Sequence, residues 1–177
     1  MGDKRNVEPV KLVCGMISAD ERLIRQTEQE MEGMFGAIDI RSELFPFNYT
    51  DYYSSEMGVG LLRKFVSFDR PIDPMRLASI KIETNGIERK LAVQTVDSIK
   101  RRINLDPGYV TPVKLVLATT KDFAHRIYLG DGIYAEVTLN FKKNGCAFFE
   151  WTYPDFKSGI YVPFLLEARR KIMAHSK

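Results

Sequence analysis

Four polar side chains fall within six positions near the middle of the chain: Lys121, Asp122, His125 and Arg126. A histidine beside a lysine and an arginine could hold a phosphate, or steady an oxyanion, through charge-assisted hydrogen bonds. His125 is one of only two histidines in the chain. Its charge can change near neutral pH, which makes it the candidate general acid or base. The plainer reading is a solvated turn with a surface histidine. A second set, Asp51, Tyr52, Tyr53 and Glu56, lies in the long aromatic segment NYTDYYSSEMGVG. Asp51 or Glu56 could act as a base, and the tyrosines could line a pocket and donate hydrogen bonds. Otherwise the rings pack the loop down and the acids face water. Glu136 is the third candidate. It alternates with Ile133, Ala135, Val137 and Leu139, so it lies on a polar strand face with Tyr134 and Thr138. It lines a pocket if the aromatic loop covers that face. An open face, with Glu136 on its surface, is the simpler expectation. No metal ligand set is assigned.

The elements that must carry these residues follow from periodicity and turn chemistry. Residues 10–17 (VKLVCGMI) read as a buried strand. Ser18 and Glu21 have capping-box spacing. The helix after them puts Leu23, Ile24, Thr27, Met31, Met34 and Phe35 on one face, and Glu21, Arg25, Glu28 and Glu32 on a solvated one. Gly36 suits its end. Residues 37–47 read as a half-buried strand stopped by Pro46, and 61–68 as another strand. Asp73-Pro74 opens a helix to about Val93 that Gly86 weakens, with Lys81 and Asn85 on an exposed face. Asp106-Pro107-Gly108 reads as a turn and 113–118 as the next strand. Gly130-Asp131-Gly132 and Lys143-Asn144-Gly145 are hairpin signals around 133–141, with 146–151 returning. Residues 158–175 close the chain as a helix with Tyr161, Phe164, Leu165, Ala168 and Ile172 inward. The expected fold class is α+β: one domain over residues 1–177, a mainly antiparallel sheet with packed helices, and a ferredoxin-like β-α-β-β-α-β order in the first half. The first nine or so residues are expected to be flexible.

Composition narrows the function classes. With 177 residues, 45% hydrophobic and 28% charged, the chain can bury a core without a staple. A net charge of +3 is too small to argue for nucleic acid. Cys14 and Cys146 sit in apolar runs and read as free buried thiols, which favours a cytoplasmic setting. No apolar run approaches a membrane span, and the first residues lack a signal-peptide core. There is no Walker motif, no G-x-G-x-x-G and no G-x-S-x-G.

Five ordered runs, KLVCGMIS, FPFNYTDYYSSEMG, NLDPGY, KLVLATTKDFAHRIYLGDGIYAEVTL and WTYPDF, carry a resemblance that extends from about Val10 to Ile172. In them the chain resembles the prokaryotic family of domain of unknown function 4416. The resemblance implies no substrate or cofactor. Some relatives bear the label GTP-binding protein, for which this sequence offers no P-loop. The resemblance makes the 51–58 loop and the 121–126 connection part of the family's recognisable pattern.

The functional expectation is a pocket at one end of the sheet, formed by the 48–58 loop and the 121–126 connection. It would take a small anionic or phosphorylated, nucleotide-like ligand. Lys121, Arg126, Tyr52, Tyr53 and Glu136 would bind it, and His125, Glu56 and Asp51 would carry any catalysis. Whether the protein is an enzyme stays open, and no cofactor is assigned. One alternative is an RNA-binding module using exposed Tyr49, Tyr52 and Tyr53 to stack bases. Another is a non-catalytic interaction subunit.

Overall fold

The computed structural model describes residues 2–3, 6–94 and 98–175. The expectation of a flexible start falls partly on residues outside that range. In chain order the elements are β1 (Lys11–Ser18), α1 (Glu21–Phe35), β2 (Ile38–Arg41), β3 (Phe45–Pro46), α2 (Ser54–Met57) and β4 (Leu62–Phe68). A 3-10 turn, Pro74–Arg76, leads into α3 (Leu77–Leu91). Then come β5 (Val93–Gln94), β6 (Ile99–Lys100), β7 (Asn104–Val110), β8 (Lys114–Thr119), β9 (Ile127–Gly130), β10 (Ile133–Lys142) and β11 (Gly145–Phe148). Two helices, α4 (Pro154–Lys157) and α5 (Val162–His175), end the described chain.

The main sheet runs β11-β10-β8-β7-β1-β4-β2, with β3 added to β4 and β9 to β10; β5 and β6 pair apart from it. Every pairing is antiparallel. The fold is α+β, as the sequence implies. With the short elements β3, α2, β5 and β6 and the 3-10 turn set aside, the first half runs β1-α1-β2-β4-α3-β7; the strand expected in sixth place, at 113–118, is β8, and β7 precedes it.

Both faces of the sheet are covered, which is why KLVCGMIS is buried along its whole length. On one face Leu12, Cys14, Met16, Val66 and Phe68 pack against Leu23, Ile24 and Met31 of α1 and Ile80 and Ile87 of α3. On the other face Val13, Phe65, Leu115 and Leu139 pack against Tyr161, Phe164, Leu165 and Ile172. Successive residues of β1 therefore feed two cores.

Several local expectations are corrected. Asp20, rather than Ser18, caps α1, accepting from the Arg22 and Leu23 amides. Ser18 instead donates to the Arg102 carbonyl. Glu28 is buried, paired with Arg41 and Lys64, while Met34 is exposed. α3 continues through Gly86. The closing helix, expected from Ser158, starts at Val162 as α5; Gly159, with a φ of 81°, separates it from α4. Cys14 is buried, whereas Cys146 is only half-buried.

The largest correction concerns NLDPGYV, which is strand β7 rather than a turn. It pairs with β1 along its whole length, from Asn104 opposite Ile17 to Val110 opposite Lys11. On its other side it meets β8 only at Gly108, Tyr109 and Val110. The stretch from Asn104 to Pro107 therefore has an open flank. Pro107 is tolerated because the neighbouring strand has already left it. Gly108 is needed where the strands do meet: a Cβ there would collide with the Val116 carbonyl and come within 2.6 Å of Leu117 Cδ2.

Candidate functional site

A cavity of about 790 Å3 opens where β7 and β8 part. The first half of β7 supplies Asn104 and Asp106, and the far end of β8 supplies Leu117 and Thr119. Leu105 shows how the gap is closed. Its N–H donates to Glu88 Oε1 at 2.6 Å, and its carbonyl accepts from Lys81 Nζ at 2.6 Å. Two side chains of α3 thus stand in for the missing strand at Leu105, and both of its backbone groups are bonded. Lys81, Asn85, Glu88 and Arg89 line the cavity along one side of the helix. Their spacing of four, three and one residues is the helical repeat. Lys81 and Glu88 are buried, against the expectation of an exposed face at Lys81 and Asn85.

The aromatic loop and the 121–126 connection share this cavity. Tyr49, Tyr52 and Tyr53 line it from the loop; Lys121, Phe123, His125 and Arg126 line it from the connection. Glu136 is also in the wall and is only 2% exposed, so the open-face expectation is wrong. A bulge at Thr138 is part of the reason. Val137 pairs with Val116 but Leu139 pairs with Leu115, so the alternation of β10 changes phase there. Glu136, opposite Leu117, then shares a sheet face with Leu139 instead of opposing it.

The Glu136 carboxylate ties the connection down. Arg126 Nε donates to its Oε2 at 2.8 Å, and His125 Nε2 lies 3.2 Å from the same oxygen. Arg126 also donates to the Lys121 carbonyl and the Tyr153 hydroxyl. The His125 ring stacks on Trp151 with centroids 5.1 Å apart and faces Phe123 at 6.2 Å; Phe149 lies behind Trp151 at 4.8 Å. Lys121 Nζ sits 3.8 Å above the Tyr52 ring.

The two acids proposed from the loop stand elsewhere. Neither Asp51 nor Glu56 is among the residues lining the cavity, and Asp51 is exposed. Both Glu56 oxygens are engaged by Arg101: Oε2 by the guanidinium at 2.8 Å and Oε1 by the backbone N–H at 3.3 Å. Glu56 therefore positions Arg101, which does line the cavity.

Sequence reasoning missed the floor. Arg63 is 3% exposed and lies against the Phe65 ring at 4.6 Å, donating to Asp106 Oδ2 at 2.9 Å. Burial pushes the Asp106 carboxyl up, but Arg63 and Lys81 outweigh it and hold the group below its ordinary range. Glu88 goes the other way: burial raises it, and Lys81, the Leu105 N–H and Arg101 fail to compensate. Burial likewise raises Asp155 against the pull of Arg63. Arg63 could have been suspected from its alternation with Phe65 and Ser67. The α3 stripe could have been suspected from its spacing.

Cys14 is not a cavity residue. Burial pushes its thiol up to about 12, which leaves it un-ionised and inert.

The model of the family described as Domain of unknown function (DUF4416) matches residues 8–172. The chain belongs to that family. No curated protein and no solved structure matches it. Among the described residues no helix is long and apolar enough to cross a membrane.

Proposed function

We propose that the cavity binds a small anionic ligand of the phosphorylated, nucleotide-like class. One observation carries the reading: a single concave site combines a cationic lining with a run of aromatic rings. Six lysine and arginine side chains line it against four carboxylates. Its volume of about 790 Å3 falls in the range of small-molecule sites. Tyr49, Tyr52, Tyr53 and Phe123 bring aromatic rings to the lining, where a planar group could pack. In the enzymatic form of the proposal His125 moves a proton. Glu136, bound to its Nε2 side, fixes the ring so that the other nitrogen is available. Glu56 drops out as base because Arg101 occupies it. The RNA reading lacks an open stacking platform, since helices cover both sheet faces and the loop tyrosines turn into the cavity.

The test is a thermal-shift screen with nucleotides, sugar phosphates and divalent metals on wild type and His125→Ala. A ligand at a hundred times its Kd adds about 2.7 kcal/mol, or roughly 5–10 °C in Tm for a chain of this size. The expected result is a shift with a phosphorylated compound that is reduced in the variant. A well-folded protein that no compound stabilises would sink the reading.

A further inference from the structure

In the 121–126 connection Arg126 is committed, and Lys121 rests its ammonium on the Tyr52 ring. Arg126 spends its Nε, Nη1 and Nη2 on Glu136, the Lys121 carbonyl and Tyr153. His125 leans on the same carboxylate. The opposite wall, where α3 faces the first half of β7, is different. Lys81 is 6% exposed, and among the described residues its ammonium, with three donors, gives one hydrogen bond, to the Leu105 carbonyl. Arg89 stands exposed at the rim with no carboxylate partner among the described residues. Two buried nitrogen donors in this wall, Arg101 Nε and Asn104 Nδ2, meet no acceptor at bonding geometry. Asn104, 5% exposed, leans toward Asp106 and helps to hold that acid down. The acids nearby are already engaged: Glu88 by the Leu105 N–H and Arg101, Asp106 by Arg63. A buried donor without an acceptor is costly. A wall that sets these two donors beside the ammonium of Lys81 and the guanidinium of Arg89 is complementary to a group rich in acceptors and negative charge.

We infer that Lys81, Arg89, Arg101 and Asn104 form a subsite for a phosphate group, on the wall opposite the 121–126 connection. The inference rests on the reading of the cavity as an anionic-ligand site and gives it a direction. The phosphate lies against α3 and β7, and the planar part of the ligand lies toward Trp151 and His125. Lys81 and Arg101 supply charge from inside, Asn104 supplies an amide N–H, and Arg89 closes over the rim.

The experiment titrates inorganic phosphate and pyrophosphate at low salt, read by phosphorus NMR and calorimetry. The proteins are wild type, Lys81→Met, Arg89→Glu and, as a control, Lys143→Glu. Losing a charge-assisted hydrogen bond weakens binding about tenfold or more. Both Lys81→Met and Arg89→Glu should show that loss, while Lys143→Glu, which reverses an exposed charge outside the cavity, should bind phosphate as wild type does. Lys81 is buried and bonded to the Leu105 carbonyl, so its replacement also tests folding; Arg89 is exposed, so Arg89→Glu keeps the test decisive. Equal phosphate affinity in wild type and Arg89→Glu overturns the subsite. So does a wild type that binds no phosphate. If that wild type is nevertheless stabilised by a screened compound that His125→Ala fails to hold, the cavity reading survives without the subsite. If nothing binds, both fall.

Discussion

Gly15 decides whether the floor of the cavity can exist. It sits in the middle of β1, opposite Phe65 on one side and Asp106 on the other. A Cβ there would strike Arg63 Nη2 and come within 2.9 Å of Phe65 Cε1. Glycine in a central strand usually marks a close approach, and here the approaching group is the Arg63 guanidinium, 4.6 Å from the centroid of the Phe65 ring. Gly15→Ala must push Arg63 off Asp106, leaving a partly buried carboxylate short of its main partner. Overpacking of this kind costs about 1–3 kcal/mol, and urea denaturation would show it as a lower midpoint with an unchanged slope. The same variant should lose much of its stabilisation by the cavity ligand. Unchanged stability would mean that Arg63 has room to move aside and is not held by the glycine.

At the level of elements, β7 explains what the sequence could and could not reveal. Asp106-Pro107-Gly108 has turn chemistry, and local reading takes it as a turn. The strand forms because β1 pairs with all seven of its residues, while β8 leaves before Pro107. Proline and glycine there serve long-range needs, an open flank and a tight strand approach, that no local window contains. The hairpin turns at Gly130-Asp131-Gly132 and Lys143-Asn144-Gly145 were legible because their causes are local. The strict alternation of β10 failed at Thr138 because a bulge is set by the partner strand. Gly108→Ala tests the short β7–β8 junction. Its Cβ would meet the Val116 carbonyl and Leu117, backbone and packed side chain rather than a mobile tip. With only three residue pairs joining the strands, a loss of about 1–3 kcal/mol is expected, together with faster amide exchange in β8. An unperturbed β8 in hydrogen exchange would show that the junction can widen freely.

Across the whole molecule, the sequence located one wall of the cavity and missed the other. The loop and the connection were visible as unusual clusters. The α3 stripe looked like an ordinary solvated face, because nothing near it in sequence announces that the adjoining strand is unpaired. The missed wall also places acids of opposite tendency in one structure, and this makes the pH response testable. Asp106 is held below 3.8, as is Asp39, where hydrogen bonds from Lys11, Ser67 and Lys171 outweigh burial. Glu88 and Asp155 are raised by burial. A depressed carboxyl contributes stability above its unfolded pKa of about 3.9, and that contribution is lost as pH falls through the folded pKa. A raised carboxyl acts oppositely: the folded chain binds its proton more readily, so its cost at neutral pH is relieved as pH falls through the raised value. Stability should therefore rise from neutral pH toward the upper edge of the carboxylate range, then fall below about pH 4. Urea midpoints at closely spaced pH values would trace the curve. In Glu88→Gln the rise on the acidic side should shrink while the fall below it persists, because Asp106 and Asp39 are untouched. A wild-type curve that only declines from neutral pH downward would mean that Glu88 and Asp155 are charged in the folded protein without penalty, and the floor of the cavity would then be better solvated than its burial indicates.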